Sequence, residues 1–420
     1  MAINLIDSAM VSQLSYYNLA AASLVNNLIG LPFVVCIGFT VAIAPLVAEL
    51  RGSQKPEACG TLLNNALVLN LAISLLLVVP FYLGGDVIFH LRQDPEVARL
   101  GRPYLNWMLW SIVPMTAFLS IKQFCDGLQH TRVPMLLSLA SIPLNAGLNY
   151  LFIYGKFGFP ALGLEGAGIA TLLARLLVAV AIGIYVFKNS TFSKYRLIER
   201  SLVKATQFKI ARLALPSAWQ YCSEIGAFVL LGIVVGWFGP VQQAAHQISL
   251  SVAAMAFMVS IGLSSAGSIR VGEAYGMGNS GRVRSEGMAA LKLAMVYGFF
   301  CAVCFIVFRN WIPRIFTEES AVIHQSSILF CLAAAFQIGD SLQAVGMGIL
   351  RGVQDIRMPT LYTTLCYWFL GIPAGYFLGV VVGWEVTGVW VGFILCLSFM
   401  GVLLLRRFIH ISTEKVHEAN

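Results

Sequence analysis

Three carboxylic acids stand inside apolar stretches of the sequence: Asp7 in NLIDSAM, Glu224 in WQYCSEIGAF and Asp340 in FQIGDSLQAV. At membrane depth a charged side chain costs roughly 2.5–3.5 kcal/mol on insertion scales, so an acid that persists there faces a cavity or a partner. Burial disfavours an ionised carboxyl and a bound cation restores it, so such a site can exchange a proton for another cation as its surroundings change. That is the chemistry of ion-coupled exchange, with Glu224, Asp340 and Asp7 as the candidate coupling acids. The competing reading is structural, with each acid held in an internal ion pair or by hydroxyls and water.

Other polar and aromatic groups cluster near these acids along the chain. Asn145 and Asn149 in IPLNAGLNYLF are four residues apart and share one helix face. They either complete a polar site with Asp7 or hydrogen-bond between helices, as buried amides in membranes commonly do; the residues alone leave both open. Arg175 in TLLARLLVAV is the base deep in an apolar run, where it can pair with an acid or snorkel along its helix; a structural counter-charge is the preferred reading. Trp219, Tyr221 and Phe336 lie next to the acids in sequence. Ring faces attract organic cations by about 0.5–2 kcal/mol each, so these three join the asparagines as candidates for lining a substrate cavity. Most other aromatics are expected in packing and in the interfacial belts. His90 and His246 fall near expected helix ends, where ordinary hydrogen bonding accounts for them as well as proton transfer would.

The elements that must position these groups follow from composition. The chain has 420 residues, of which 58% are hydrophobic and 11% charged, with a mean hydropathy of +0.80. Soluble domains carry roughly 25% charged residues. Apolar runs long enough to cross about 30 Å of hydrocarbon recur along the whole sequence. They are continuous rather than alternating, which points to helices and not to barrel strands. The nine cysteines show no disulfide or zinc spacing, and the Cys301–Cys304 pair sits inside an apolar run. The amino terminus MAINLIDSAM has no signal-peptide pattern.

Spans are expected near 24–50, 62–83, 104–124, 133–154, 163–187, 210–238, 245–275, 288–308, 323–350, 359–382 and 386–405, with a partial span over 1–14. Of the 27 Lys and Arg, most fall in alternate loops and the tail: Arg51, Lys55, Lys122, Arg132, the group from Lys188 to Arg212, Arg270, Arg282, Arg284, Arg351, Arg357, Arg406, Arg407 and Lys415. The opposite loops hold Arg92, Arg99, Arg102, Lys156, Arg309 and Arg314. The first set is therefore cytoplasmic, together with the carboxyl terminus, in a multi-pass protein of the inner (plasma) membrane. The formal net charge of +8 reports this topology, so no nucleic-acid partner is needed; the bilayer is the partner, and a monomer is expected.

The polar stretch 188–209 divides the chain nearly in half and reads as a cytoplasmic linker between an amino-terminal lobe (1–187) and a carboxyl-terminal lobe (210–407), with a tail over 408–420. The halves resemble each other. DGLQHTRVP (126–134) matches RGVQDIRMP (351–359) at Gly, Gln, Arg and Pro, and IGFTVAIAPLVAELRG (37–52) matches IGLSSAGSIRVGEAYG (261–276) at Ile, Gly, Glu and Gly. Even-numbered repeats share an orientation and are related by a pseudo-two-fold axis along the membrane normal, one of the arrangements of secondary transporters. The fold class expected is therefore all-α and polytopic, about twelve transmembrane helices in two six-helix lobes, with the first helix shortened relative to its repeat. None of the three acids is matched across the repeat. Leu231 stands opposite Asp7 and Met115 opposite Asp340, and this broken symmetry favours function over scaffold.

An intramembrane hydrolase would need a nucleophile with its base or a motif such as H-E-x-x-H, and neither is present, so no enzyme is expected. A channel explains two repeated lobes less well. A lipid or polysaccharide flippase remains the alternative, though it would call for more buried bases. The motifs DSAMVSQLS, APLVAELRGS, IPLNAGLNYLFIYGKFGFPALGLEGAGIAT, AAHQISLS, SIRVGEAYGMGN and GILRGVQDIRMP, in this order, resemble the multidrug and toxic compound extrusion (MATE) family, NorM-like branch, across essentially the whole chain.

That resemblance implies two six-helix lobes around a central cavity and export of lipophilic cationic drugs or toxins, by alternating access, in exchange for sodium or protons with no cofactor. It assigns Asp7, with Asn145 and Asn149 beside it, to the amino-lobe site, and Glu224 and Asp340 to cation binding by the seventh and tenth helices, with sodium as a candidate metal there. Two departures accompany it. The family's first helix normally begins well before Met1, and Phe336 stands where NorM-like chains can carry tyrosine, a hydroxyl whose loss weakens sodium coordination.

Overall fold

The computed structural model describes residues 2–90, 94–195 and 202–417. Arg92, Arg196 and Arg200, and the side chain of Lys415, all used above to orient the chain, lie outside the described residues, as does part of the expected linker. A short helix α1 (Ala2–Ser12) is followed by eleven helices long and apolar enough to span a membrane. These are α2 (Tyr16–Gly52), α3 (Pro56–Leu83), α4 (Pro95–Gly127), α5 (Arg132–Tyr154), α6 (Gly163–Lys188), α7 (Lys204–Gly236), α8 (Pro240–Gly276), α9 (Ser280–Phe308), α10 (Ser320–Gly352), α11 (Arg357–Val381) and α12 (Glu385–His417). No strand occurs among the described residues. The protein is an all-α polytopic membrane protein, as its composition demands.

Local chemistry sets the helix ends. Ser15, Asp94 and Asn279 each accept a backbone N–H of the first turn of α2, α4 and α9, satisfying donors that have no intrahelical partner. Pro56, Pro95 and Pro240 open α3, α4 and α8, where a missing N–H costs nothing. Large apolar side chains such as Leu76, Leu83, Phe299 and Phe300 stay exposed, the surface a helix presents to lipid rather than to water. The polar stretch 188–209 is partly built into the fold. Ser190–Tyr195 forms a 3₁₀ turn with Phe192 and Tyr195 buried, the Val203 N–H donates to Asn65 Oδ1 at 2.9 Å, and α7 already begins at Lys204.

The chain divides into two compact units, Met1–Val47 with Lys55–Ala218, and Ala48–Gln54 with Trp219–Asn420. Each unit carries the same turn. At the end of α4, Gln129 adopts φ 64°, its N–H donates to Asp126 O, and His130 N–H donates to Cys125 O. At the end of α10, Gln354 has φ 64°, with its N–H donating to Arg351 O and Asp355 N–H to Leu350 O. The glycines before these turns are equivalent too. A methyl on Gly127 would lie 2.7 Å from Ala44 O and from Val47 Cβ, and one on Gly352 would lie 2.7 Å from Ser268 O and 3.0 Å from Val271 Cβ. Ser268 and Val271 are the repeat counterparts of Ala44 and Val47, so the matched glycine is a close helix crossing that each half needs.

Within the second unit, α8 and α10 meet along small residues. Ser260 and Ser341 share a hydrogen bond of 2.9 Å, and Ser264 donates to Ala344 O at 2.6 Å where Gly348 leaves room. This close approach is the usual way membrane helices associate when no hydrophobic force separates helix from lipid.

Candidate functional site

The three acids are all buried, and they have different neighbours. In the first unit, α1 places Asp7 against α5 and α6. Its Oδ1 accepts from Asn149 Nδ2 at 2.5 Å, and its Oδ2 accepts from Thr171 Oγ1 at 3.3 Å. Asn145 Nδ2 donates to Thr171 Oγ1 at 3.3 Å, and Asn145 Oδ1 accepts from Asn149 Nδ2 at 3.3 Å. Four residues from three helices thus form a buried network in which Asp7 is the acceptor and only Asn149 Oδ1 is left without a partner among the described residues, and Tyr154 OH ties α1 down through Met10 O at 3.1 Å. The spacing of Asn145 and Asn149 on one turn face of α5 is what lets both reach it.

Arg175 lies one turn beyond Thr171 on α6 and within electrostatic range of Asp7, yet among the described residues it makes no ion pair. Its Nη1 donates to Ser111 Oγ at 2.8 Å, and its guanidinium carbon sits 5.6 Å from the centroid of the Phe33 ring. The expected counter-charge is therefore a base held by a hydroxyl and a ring. His246 is an ordinary buried histidine whose Nδ1 accepts from Trp390 Nε1 at 3.1 Å.

In the second unit, Glu224 on α7 and Asp340 on α10 are both buried and within electrostatic range of each other. Among the described residues neither accepts a hydrogen bond and neither has a basic group within ion-pair distance. Other buried acids near helix ends differ. Asp126 is paired with Lys122 at 2.6 Å and Glu273 with Arg51 at 3.6 Å.

Around the unpaired acids are further oxygens without partners. Gln220 Oε1 is one turn before Glu224 on α7, Gln337 Oε1 is three residues before Asp340 on α10, and the Tyr367 hydroxyl on α11 is within electrostatic range of both acids. An unsatisfied buried polar atom costs about 1–3 kcal/mol, so three beside two lone carboxyls call for an explanation. Oxygen-rich sets of this kind suit a hard cation, and among the described residues no cluster of three or more His, Cys, Asp or Glu offers a transition-metal site.

Tyr367 sits where α11 departs from α-helical winding, in a π-helical stretch over Cys366–Gly371, an irregularity frequent at functional sites. The sequence reading missed Gln220, Gln337, Thr171 and Tyr367. The first two were detectable, being amides at helical spacing from an intramembrane acid, but Thr171 and Tyr367 depend on which helices become neighbours.

The expected aromatic cavity residues do not gather at one place. Phe336 is buried in a ring cluster, with centroids 6.3 Å from Phe228, 5.5 Å from Trp390 and 6.2 Å from Phe393. Trp219 is exposed, and its Nε1 donates to Thr364 Oγ1 on α11 at 3.1 Å, while one turn on Trp368 Nε1 returns a bond of 2.8 Å to Ser223 Oγ. Tyr221 is half-buried. The pair of tryptophan bonds positions α11, and with it Tyr367, against the face of α7 that carries Ser223.

Comparison with known proteins places this architecture. The MatE family model matches residues 1–151 and 216–377. A probable multidrug resistance protein NorM from Rhizobium meliloti is 30% identical over 416 residues, covering 97% of this chain and 89% of that protein. A multidrug resistance protein MdtK from Yersinia pseudotuberculosis is 30% identical over 414 residues, covering 97% and 90%. Among solved structures, a MATE protein in the bent conformation superimposes with a TM-score of 0.91 at 18% identity, covering 99% of this chain and 92% of that one.

Proposed function

The chain belongs to the MatE family, and on that premise we propose that it is a secondary antiporter of the inner membrane that exports lipophilic cationic drugs in exchange for sodium or protons. The multidrug-resistance names of its relatives support efflux as the activity. The single observation that carries the coupling mechanism is the pair Glu224 and Asp340, buried on α7 and α10 with no basic partner and no hydrogen-bond donor among the described residues. Holding two carboxylates in that state is unfavourable unless a cation joins them.

In this mechanism a sodium ion or proton arriving from outside binds Glu224 and Asp340. Gln220 Oε1, Gln337 Oε1 and the Tyr367 hydroxyl are the neutral oxygens available to complete a sodium shell, and Tyr367 supplies the hydroxyl that Phe336 lacks. The cation binds the two arrangements of an alternating-access cycle with different affinity, and that difference is the coupling. One charge moving through about 100 mV yields roughly 2.3 kcal/mol, near fifty-fold accumulation of a neutral solute. Exchange of one cation for one monovalent drug gains nothing from voltage and draws on the ion gradient alone. The carboxyl terminus is cytoplasmic and the working unit a monomer.

The test is ethidium efflux by the reconstituted protein under separately imposed sodium and proton gradients. One gradient drives efflux in the wild type, and Glu224→Gln and Asp340→Asn abolish the driven component. Normal pumping by both variants refutes the coupling site.

A further inference from the structure

Helices α11 and α12 approach each other unevenly along their length. From Gly371 onward they run backbone against backbone. A methyl on Gly392 would lie 2.5 Å from Gly375 Cα, one on Gly388 would lie 2.5 Å from Gly379 N, and one on Gly371 would lie 3.1 Å from Cys396 Cβ. Between Arg357 and Leu370, α11 has no glycine, and there the two helices part. The wedge between them is a cavity of about 570 Å³, lined by Tyr362, Leu365 and Phe369 from α11 and by Leu395, Phe399 and Leu403 from α12. Leu365, Phe369, Leu395 and Phe399 are exposed, so the wedge opens on the lipid-facing surface. Its only polar side chains are Tyr362 and Cys366. The volume is in the range of ligand pockets, and such a wall suits a hydrocarbon chain rather than a polar solute. From 362 to 370, and from 403 back to 395, each helix advances about 12 Å at 1.5 Å per residue. That is close to the roughly 15 Å of hydrocarbon in one leaflet.

The mouth of the wedge is basic. Arg407 Nε donates to Asp355 Oδ2 at 2.7 Å, tying the turn before α11 to α12. Arg357 and Arg406 flank this pair, two residues after Asp355 and one before Arg407. Both are exposed, and among the described residues neither has an acidic partner or a hydrogen-bond acceptor. Arg406 follows Leu395 by eleven residues, about three helical turns, so it continues the face of α12 that lines the wedge. Arginines at this level extend their guanidinium groups to the lipid headgroups.

We propose that the wedge between α11 and α12 is a binding site for an anionic phospholipid, with one acyl chain between the two helices and the phosphate on Arg357 and Arg406. The chain fills space that the helices, pinned together at their glycines, leave open. Basic residues near the membrane surface each attract an anionic headgroup, which gives the site its preference over neutral lipid. Tyr367 belongs to the same stretch of α11 but is buried away from the wedge, so this site is separate from the coupling acids. Assignment of the lipid to the cytoplasmic leaflet rests on the topology proposed above.

The test is photolabelling of the purified protein in phosphatidylcholine nanodiscs, followed by peptide mapping. The discs carry a trace of either phosphatidylglycerol or phosphatidylcholine, each with the same diazirine-bearing acyl chain. Segments 362–370 and 395–403 are labelled about tenfold or more strongly by the phosphatidylglycerol probe, whereas the lipid-facing pair Phe299 and Phe300 on α9 is labelled equally by both. The double variant Arg357→Gln, Arg406→Gln brings the two probes to equal yield in the wedge. The double variant Leu365→Trp, Leu403→Trp fills the wedge and removes labelling by either. Equal yields in the wild type mean ordinary boundary lipid and overturn the proposal, as does a preference that survives loss of both arginines. The wild-type comparison needs no variant, so it decides the matter even where a variant fails to fold. Labelling is read without an ion gradient and in discs with identical leaflets, so it stands or falls independently of the coupling mechanism and of the chain's orientation.

Discussion

Asp7 in the first unit and the Glu224–Asp340 pair in the second are both intramembrane carboxylates, but their surroundings are opposite. Asp7 accepts hydrogen bonds from Asn149 and Thr171 inside a network of four side chains, whereas the two acids of the second unit accept none among the described residues and lie near three unsatisfied oxygens. A carboxylate with donors already in place is stabilised by the protein itself. One without them is stabilised only by what it binds. The difference assigns the steeper cation dependence to the second unit and a larger share of helix positioning to Asp7.

The comparison can be broken most directly by following sodium-dependent unfolding. If sodium is the coupling ion, then at one hundred times its dissociation constant it stabilises a one-site protein by about 2.7 kcal/mol; that gain is expected in the wild type and in Asp7→Asn, and is lost in Asp340→Asn. Loss in Asp7→Asn alone would reverse the assignment of the two units.

Next in size is the effect on stability without sodium. Asp7→Asn replaces a carboxylate that accepts on both oxygens by an amide with a single acceptor oxygen, and is expected to destabilise by about 1–3 kcal/mol. Glu224→Gln removes an unpaired buried acid and is expected to leave the melting temperature unchanged or raised; a clear drop would mean that the protein itself satisfies Glu224.

A smaller effect sharpens the composition of the site. Tyr367→Phe is expected to weaken sodium binding by roughly five-fold, about 1 kcal/mol for one neutral ligand, with Phe336→Tyr in that background tested for recovery. An unchanged sodium titration removes Tyr367 from the shell. The smallest prediction concerns the repeat. Gln129→Gly and Gln354→Gly each replace a residue at φ 64°, and each is expected to stabilise by up to about 1 kcal/mol by relieving left-handed backbone strain. Opposite signs at the two sites would contradict the equivalence of the two turns.

Much of this was legible in the chain before any coordinates. The paired segments around Gly127 and Gly352 and the turns after them repeat because each half needs the same close crossing of its second and fourth helices. Such a crossing leaves a fixed trace of Gly, Gln and Pro in sequence. The intramembrane acids were equally visible, since an ionisable residue in an apolar run stands out against its neighbours. Arg175 was visible too, and it lies within electrostatic range of Asp7, but its direct contacts are with Ser111 and Phe33, residues more than sixty positions away whose proximity no local pattern records.

The number of the spans, the all-helical class, the repeat and the identity of the three acids were determined by the sequence by itself, because each depends on hydropathy or spacing within one stretch of chain. Tertiary structure alone decided which acids have partners, and that Tyr367 comes within electrostatic range of Glu224 and Asp340 while Trp219 stays exposed. These are properties of contacts between helices distant in sequence, and in a membrane such contacts follow from close packing and hydrogen bonding rather than from the hydrophobicity that the chain displays.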